Sequence, residues 1–341
     1  MKNKIIIVSI ALITIGGLVS LYFYQKIFGT AVITEGKVYI KSTDNIDDVT
    51  RSLTPYINSV DNFLWVANQK KYTNPKGGMY VLKKGMNTNE LVNLLRSGNQ
   101  TPIKVTFNNQ DTLEKLAGRI SNQIEADSIS LIQSFKDATF LQQNNFTEKS
   151  ALGMYIPNQY ELYWNTSAES FRNRMLKEYN RFWNNSRMEK AKQLGLNKTQ
   201  VLALASIVQK ETAKKDERPL VAGLYLNRLK SNWPLQADPT VIYSIKEKYG
   251  QDTVIKRVLN KDLTIDSPYN TYKNIGLPPT LIGMPDVSAI DAVLSPAKHN
   301  YYYMCASIEN IGYHEFAKSL AQHNRNAVKY QRWITQQGIK R

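Results

Sequence analysis

One carboxylate of this chain falls where a carboxylate is uncomfortable. In NKTQVLALASIVQKETAKK, residues 197–215, Val201, Leu204, Ala205 and Val208 recur with helical spacing, and Leu204, Ile207 and Val208 precede Glu211 by seven, four and three residues. Glu211 therefore sits at the end of the apolar face of a helix that Asn197 and Gln200 can open as a capping box. Partial desolvation there disfavours the charged form and raises the pKa, which is the property a general acid needs. The alternative the helix alone allows is a solvated Glu211 paired with Lys215 one turn on, worth only about 0.2–0.5 kcal/mol.

Two downstream stretches carry groups that could hold a polyhydroxylated ligand. LQADPTVIYSI, residues 235–245, places Gln236, Asp238 and Thr240 in a turn before a further helix, with Asp238 as its expected N-cap. YNTYKNIGLPPTLIGMP, residues 269–285, is a Pro- and Gly-punctuated loop whose Asn270 and Tyr272 offer neutral hydrogen-bonding groups suited to sugar hydroxyls and acetamides. YIPNQYELYW, residues 155–164, packs four aromatic rings around a proline and Glu161. Such density lines a sugar cleft or fills a core. Glu161 is a second-carboxylate candidate.

The elements that must position these groups follow from periodicity and caps. Residues 5–24, IIIVSIALITIGGLVSLYFY, contain no charge and at about 1.5 Å per residue span the roughly 30 Å core of a bilayer. They read as a transmembrane helix without a small-x-small cleavage site after it. Lys2 and Lys4 ahead of it keep residues 1–4 in the cytoplasm and put everything past a 25–35 linker outside. From 36 to 107 the pattern gives strands at 37–40, 79–82 and 103–107 and helices around 46–57, 61–69 and 88–96. The last of these is opened by Asn87 with Glu90 and closed by Gly98, and the whole suits a small α+β module. Beyond it, Asp111 with Glu114 marks a helix to about 124. Further helices are expected at 128–135, 168–192, 218–229 and 319–333, and a strand at 301–306. The fold class is α+β.

Composition narrows the partners. A net charge of +16 and a pI near 9.6 call for a polyanionic neighbour. The Lys and Arg residues are scattered, with no nucleic-acid motif, so nucleic acid is not the expected partner. The single Cys305 excludes an intramolecular disulfide, and His299, His314 and His323 lack metal-ligand spacing. No Walker loop, dinucleotide fingerprint, GxSxG or HExxH occurs, so neither metal nor organic cofactor is expected.

Taken together, ASIVQKET (205–212), NRL (227–229), LQADPTVIY (235–243), YNTY with GLPP (269–279), and HEF followed by HN (314–316 and 323–324) resemble the endolytic murein transglycosylases, the MltG or YceG-like family, over about residue 36 to the C-terminal helix. Relatives often carry EKE where this chain has Gln209, Lys210 and Glu211, so Glu211 matches the family's catalytic acid. Thr280 stands where many relatives have glycine. The resemblance implies a LysM-like module at 36–107 and a catalytic domain at 108–341 built around a central catalytic helix. It also implies cleavage of the MurNAc-β-1,4-GlcNAc bond by Glu211 as single acid/base, leaving a 1,6-anhydro end. Gln236, Asp238, Thr240, Asn270 and Tyr272 are then the candidates for positioning the sugar. Peptidoglycan strands are the implied partner, with the wall-synthesis machinery as a further one, and the implied location is the cytoplasmic membrane. Two other readings stay open: a membrane-anchored wall-binding protein without activity, and a hydrolase pairing Glu211 with Asp238 or Glu161, whose carboxylates would stand about 5–5.5 or 6.5–9.5 Å apart.

Overall fold

The computed structural model describes residues 2–255 and 257–337. Fourteen helices and six strands occur among them: α1 (Lys2–Phe28), β1 (Gly36–Ile40), α2 (Ile46–Leu53), α3 (Val60–Gln69), β2 (Gly78–Leu82), α4 (Thr88–Ser97), β3 (Ile103–Phe107), α5 (Leu113–Ser121), α6 (Ser128–Phe135), α7 (Ala138–Gln143), β4 (Asn158–Leu162), α8 (Ala168–Phe182), α9 (Asn185–Gln193), α10 (Lys198–Glu211), α11 (Arg218–Lys230), α12 (Asp238–Tyr249), α13 (Val287–Leu294), β5 (Tyr303–Ala306), β6 (His314–Ala317) and α14 (Leu320–Gln336). The fold is mixed α+β. The strands form three separate two-stranded sheets, β1 with β2, β3 with β4 and β5 with β6.

Two compact units share the chain. The first takes everything described up to Val105 together with Ile120–Asp127 and Gln159–Ala168. β1 and β2 pair antiparallel in it, Val38 opposite Tyr80, so alternate residues Val38, Ile40, Tyr80 and Leu82 turn inward onto Leu53, Phe63, Leu91 and Leu95. Its helices start where the local chemistry says they must: capping boxes join Asn45 to Asp48 and Asn87 to Glu90, and α4 ends at Gly98 with φ of 72°. The two later segments are fastened by polar contacts. Glu125 accepts from the Ser42 backbone N–H (2.6 Å) and hydroxyl (2.7 Å), and the Asn165 amide donates to the Gly77 carbonyl (3.0 Å). Glu161 is exposed on β4.

α1 is long and apolar enough to cross a membrane. The residues after it, expected as a linker, are built into this unit. Ile27 packs on the core, Ala31 and Val32 are buried, and both of their N–H groups reach the Met86 carbonyl (2.8 and 3.0 Å).

The second unit comprises Thr106–Arg119, Ser128–Asn158 and the described chain from Glu169 onward. α10 is buried from Val201 to Val208 on every side, against α9, α11, α12 and α13. The local expectations need three corrections here. The expected 168–192 helix breaks, because the Asn184 side chain accepts from the Arg187 N–H and starts α9 afresh. α5 is opened by the Thr112 hydroxyl, which accepts from Lys115 N–H (3.2 Å), and it ends at Ser121; Asp111 is drawn off into ion pairs with Lys115 and Lys210. The strand expected at 301–306 begins at Tyr303. Of the aromatic-rich 155–164 stretch, Tyr155 and Tyr160 are core residues, with Tyr155 stacked among Phe135 (4.8 Å) and Phe171 (6.4 Å).

Candidate active site

Glu211 closes α10. Asn197 opens that helix as expected, its Oδ1 accepting from Gln200 N–H (2.9 Å) while Gln200 Oε1 accepts from Asn197 N–H (2.9 Å). Thr212 then turns extended, six residues lead to Pro219 in the first turn of α11, and α11 runs back past the end of α10. This return delivers Tyr225, itself buried, so that its phenol donates a 2.7 Å hydrogen bond to Glu211 Oε1.

The electrostatics favour a carboxyl group that keeps its proton. Burial raises the Glu211 pKa above its ordinary 4.5, and nearby Asp238 pushes the same way; the Tyr225 hydrogen bond and the charges of His314 and Arg228 oppose the rise without cancelling it. Burial and the neighbouring Glu211 carboxylate likewise raise the Tyr225 phenol, so it remains a donor. Asp238, Arg228 and His314 are thus all close enough to act on Glu211's charge.

Each neighbour is held by a different device. Asp238 does not cap α12, as the sequence suggests; Ala237 is the capping residue, and Asp238 Oδ1 accepts from the Tyr272 hydroxyl (2.6 Å). Arg228 is buried on α11, donating to the Tyr302 carbonyl (2.8 Å) and the Leu235 carbonyl (2.5 Å) with its guanidinium 5.9 Å from the Trp233 and Tyr303 rings. Glu217, 3% exposed, accepts from the His314 backbone N–H (2.5 Å) and pairs with His314 Nδ1 (3.0 Å).

The sequence-derived candidates separate on this geometry. Asp238 and Tyr272 meet each other within electrostatic reach of Glu211, and Gln236 is exposed nearby in the chain with φ of +51°, its N–H on the Thr271 carbonyl (3.1 Å). Thr240 and Asn270 are fully buried. Thr240 Oγ1 donates to the Ala237 carbonyl (2.7 Å) and contacts Thr271 Oγ1 (2.9 Å). Asn270 donates to the Leu263 and Ile265 carbonyls (2.9 and 2.8 Å) and accepts from Tyr272 N–H (3.0 Å). These two shape the loops; a ligand at the surface cannot reach them without displacing those bonds.

Three contributors escape a residue-by-residue reading. Tyr225 scores as helix packing, Arg228 as part of the NRL motif, and Glu217 as one charge in a polar turn. The presence of His314 in the HEF motif is the one signal that could have drawn attention to its partner. Among the described residues no group of three or more His, Cys, Asp and Glu side chains could hold a metal.

An α+β chain with one sheltered, phenol-bonded carboxylate at the end of a buried helix defines the class. The family profile of the YceG-like family matches residues 38–329, and the chain belongs to that family. A Bacillus subtilis protein named endolytic murein transglycosylase is 31% identical over 293 residues, covering 80% of this chain and 78% of that protein. A Streptococcus pneumoniae protein of the same name is 29% identical over 299 residues, and this chain spans about half of its length (53%). A crystal structure of a yceG-like protein from Listeria monocytogenes aligns with a TM-score of 0.56 and 27% identity over 85% of this chain and 98% of that one.

Proposed function

We propose that this protein is a membrane-anchored endolytic murein transglycosylase. The observation that carries the proposal is Glu211: a single partly buried carboxyl with a raised pKa, held by Tyr225, in a chain whose relatives bear that name. α1 is the anchor, with Lys2 and Lys4 on the cytoplasmic side and the two units outside. The first unit is a LysM-like module that holds glycan, and the second cleaves it.

In the reaction, Glu211 gives its proton to the oxygen linking MurNAc C1 to GlcNAc O4, and the C1–O4 bond breaks. The MurNAc C6 hydroxyl oxygen attacks C1 and passes its proton to the Glu211 carboxylate, forming the 1,6-anhydro ring and restoring the acid without water. One carboxyl therefore serves both halves of the step. Tyr225 fixes which oxygen of Glu211 faces the substrate. Asp238, Tyr272 and Gln236 position the sugar, while Thr240 and Asn270 hold the loops that carry them.

The proximity of Asp238 to Glu211 favours one competing reading, a two-carboxylate hydrolase in which Asp238 directs water at C1. Digesting purified peptidoglycan and analysing the fragments by mass spectrometry separates the two. Anhydro ends that vanish in Glu211→Gln are expected. Reducing ends establish the hydrolase, and glycan left intact by the wild-type protein defeats both in favour of a non-catalytic wall binder.

A further inference from the structure

The first unit is not tethered to α1 but fused to it. Phe23, in the last turn of the uncharged stretch, stacks on Trp65 of α3 with ring centroids 5.2 Å apart and planes 29° from parallel. The Lys26 ammonium lies over both Trp65 (5.2 Å) and Tyr22 (5.6 Å). One turn further, Ile27 enters the unit's core, and the chain is then stitched in by backbone bonds: Ala31 and Val32 to Met86, Ile33 to Tyr56 (2.9 Å), Gly85 to Val32 (2.9 Å) and Asn58 to Ala31 (2.9 Å). No free residue separates helix from unit to act as a hinge.

The depth of Trp65 follows. Tyr22, Phe23, Tyr24 and Phe28 ring the outer end of α1, and Tyr24 and Phe28 are exposed on the helix with their own rings 5.1 Å apart. Aromatic belts sit at the level of the lipid headgroups, where a ring finds an apolar body and a wet edge, and a lysine at that depth extends its ammonium toward phosphate. A tryptophan stacked on Phe23 shares its depth. We infer that the α3 face carrying Trp65 is a lipid-contacting surface, so that the unit rests on the outer leaflet with Trp65 and Lys26 among the headgroups. The inference rests on the reading of α1 as an uncleaved anchor. It also bears on that reading, because removal of α1 as a leader would strip Phe23 and Lys26 from Trp65.

The test uses the full chain in a Cys305→Ser background, reconstituted in phosphatidylglycerol/phosphatidylethanolamine vesicles that carry nitroxide lipids. Environment-sensitive fluorophores are placed at Leu12→Cys for the bilayer interior, Tyr24→Cys for the interface, and Asn68→Cys, which lies exposed three residues beyond Trp65 on the same helix face. We expect headgroup nitroxides to quench the label at 68 to within about twofold of the label at 24, as a shared interfacial depth requires. Quenching at 12 and 24 with none at 68 overturns the docking and leaves the anchor standing. No quenching at any of the three defeats the anchor itself, and the docking with it.

Discussion

At the residue scale the mechanism proposed for Glu211 turns on how burial and Tyr225 set its proton affinity. Removing the phenol hydroxyl takes away a hydrogen bond that favours the ionised form of Glu211, in which it is worth about 1.5–3 kcal/mol. In Tyr225→Phe the limb of the pH–rate profile that reports Glu211 should move to higher pH, with kcat down roughly tenfold or more and KM little changed. Stability should respond with a definite sign. The unfolded carboxyl titrates near 4.5 and the folded value is raised, so the protonated form stabilises the fold; that contribution is complete below 4.5 and is lost as pH rises through the folded value. Glu211→Gln should therefore gain more melting temperature over wild type at about pH 7 than at about pH 4, in matched calorimetric scans. Glu211 was legible from its spacing against Leu204, Ile207 and Val208. Its phenol donor was not, because a tyrosine on a packing face and a tyrosine aimed at a carboxylate have the same sequence neighbourhood.

At the element scale, two kinds of contact hold the site's scaffold. Local caps are one. Asn197→Ala removes the capping box of α10 and should cost about 1 kcal/mol, seen as a melting transition about 2–4 °C lower for a unit of this size. Contacts between helices are the other. Arg218, 3% exposed at the start of α11, is hydrogen-bonded to Asp286 (2.6 Å), which also caps α13 through Ala289 N–H (3.0 Å). Burial works to raise the Asp286 carboxyl, but Arg218 and Ser288 outweigh it and hold it below its usual range. Asp286→Asn keeps a capping oxygen and leaves the arginine without its counter-charge. A loss of about 3–5 kcal/mol in denaturant unfolding is expected. Gly223 on α11 marks a second close approach, since a Cβ there would collide with the Ala297 carbonyl and His299 Nε2. Gly223→Ala should cost about 1–3 kcal/mol by the same assay. The caps were readable in advance because each lies within four residues. The break at Asn184 is not visible in the stripe of Phe171, Met175, Tyr179 and Phe182, which ends before it; a side-chain cap at Asn184 outcompetes helix continuation.

At the scale of the whole molecule, the proposed function makes charge and the α1 helix the features that set where the protein works. A net charge of +16 favours anionic partners, anionic wall polymers among them under the proposed function, and such attraction between exposed charges is screened. Binding of the full chain to isolated peptidoglycan should weaken several-fold between about 0.05 and 0.5 M salt in a sedimentation assay, as the screening length shrinks from more than 10 Å to under 5 Å.

What the sequence alone determined here are the features set by neighbours a turn or two away: the uncharged span of α1, the capping boxes at Asn87 and Asn197, the α+β class, and the suspicion attached to Glu211. Tertiary structure decided which polar side chains meet. Tyr225 reaches Glu211 across 14 residues, Tyr272 reaches Asp238 across 34, and His314 reaches Glu217 across 97. It also turned Thr240 and Asn270 inward and sewed Ala31 and Val32 into a core. The reason is physical. Propensity and capping act through a few bonds of backbone, whereas a side chain's final direction depends on helix packing and loop hydrogen bonds that close only when distant segments are brought together.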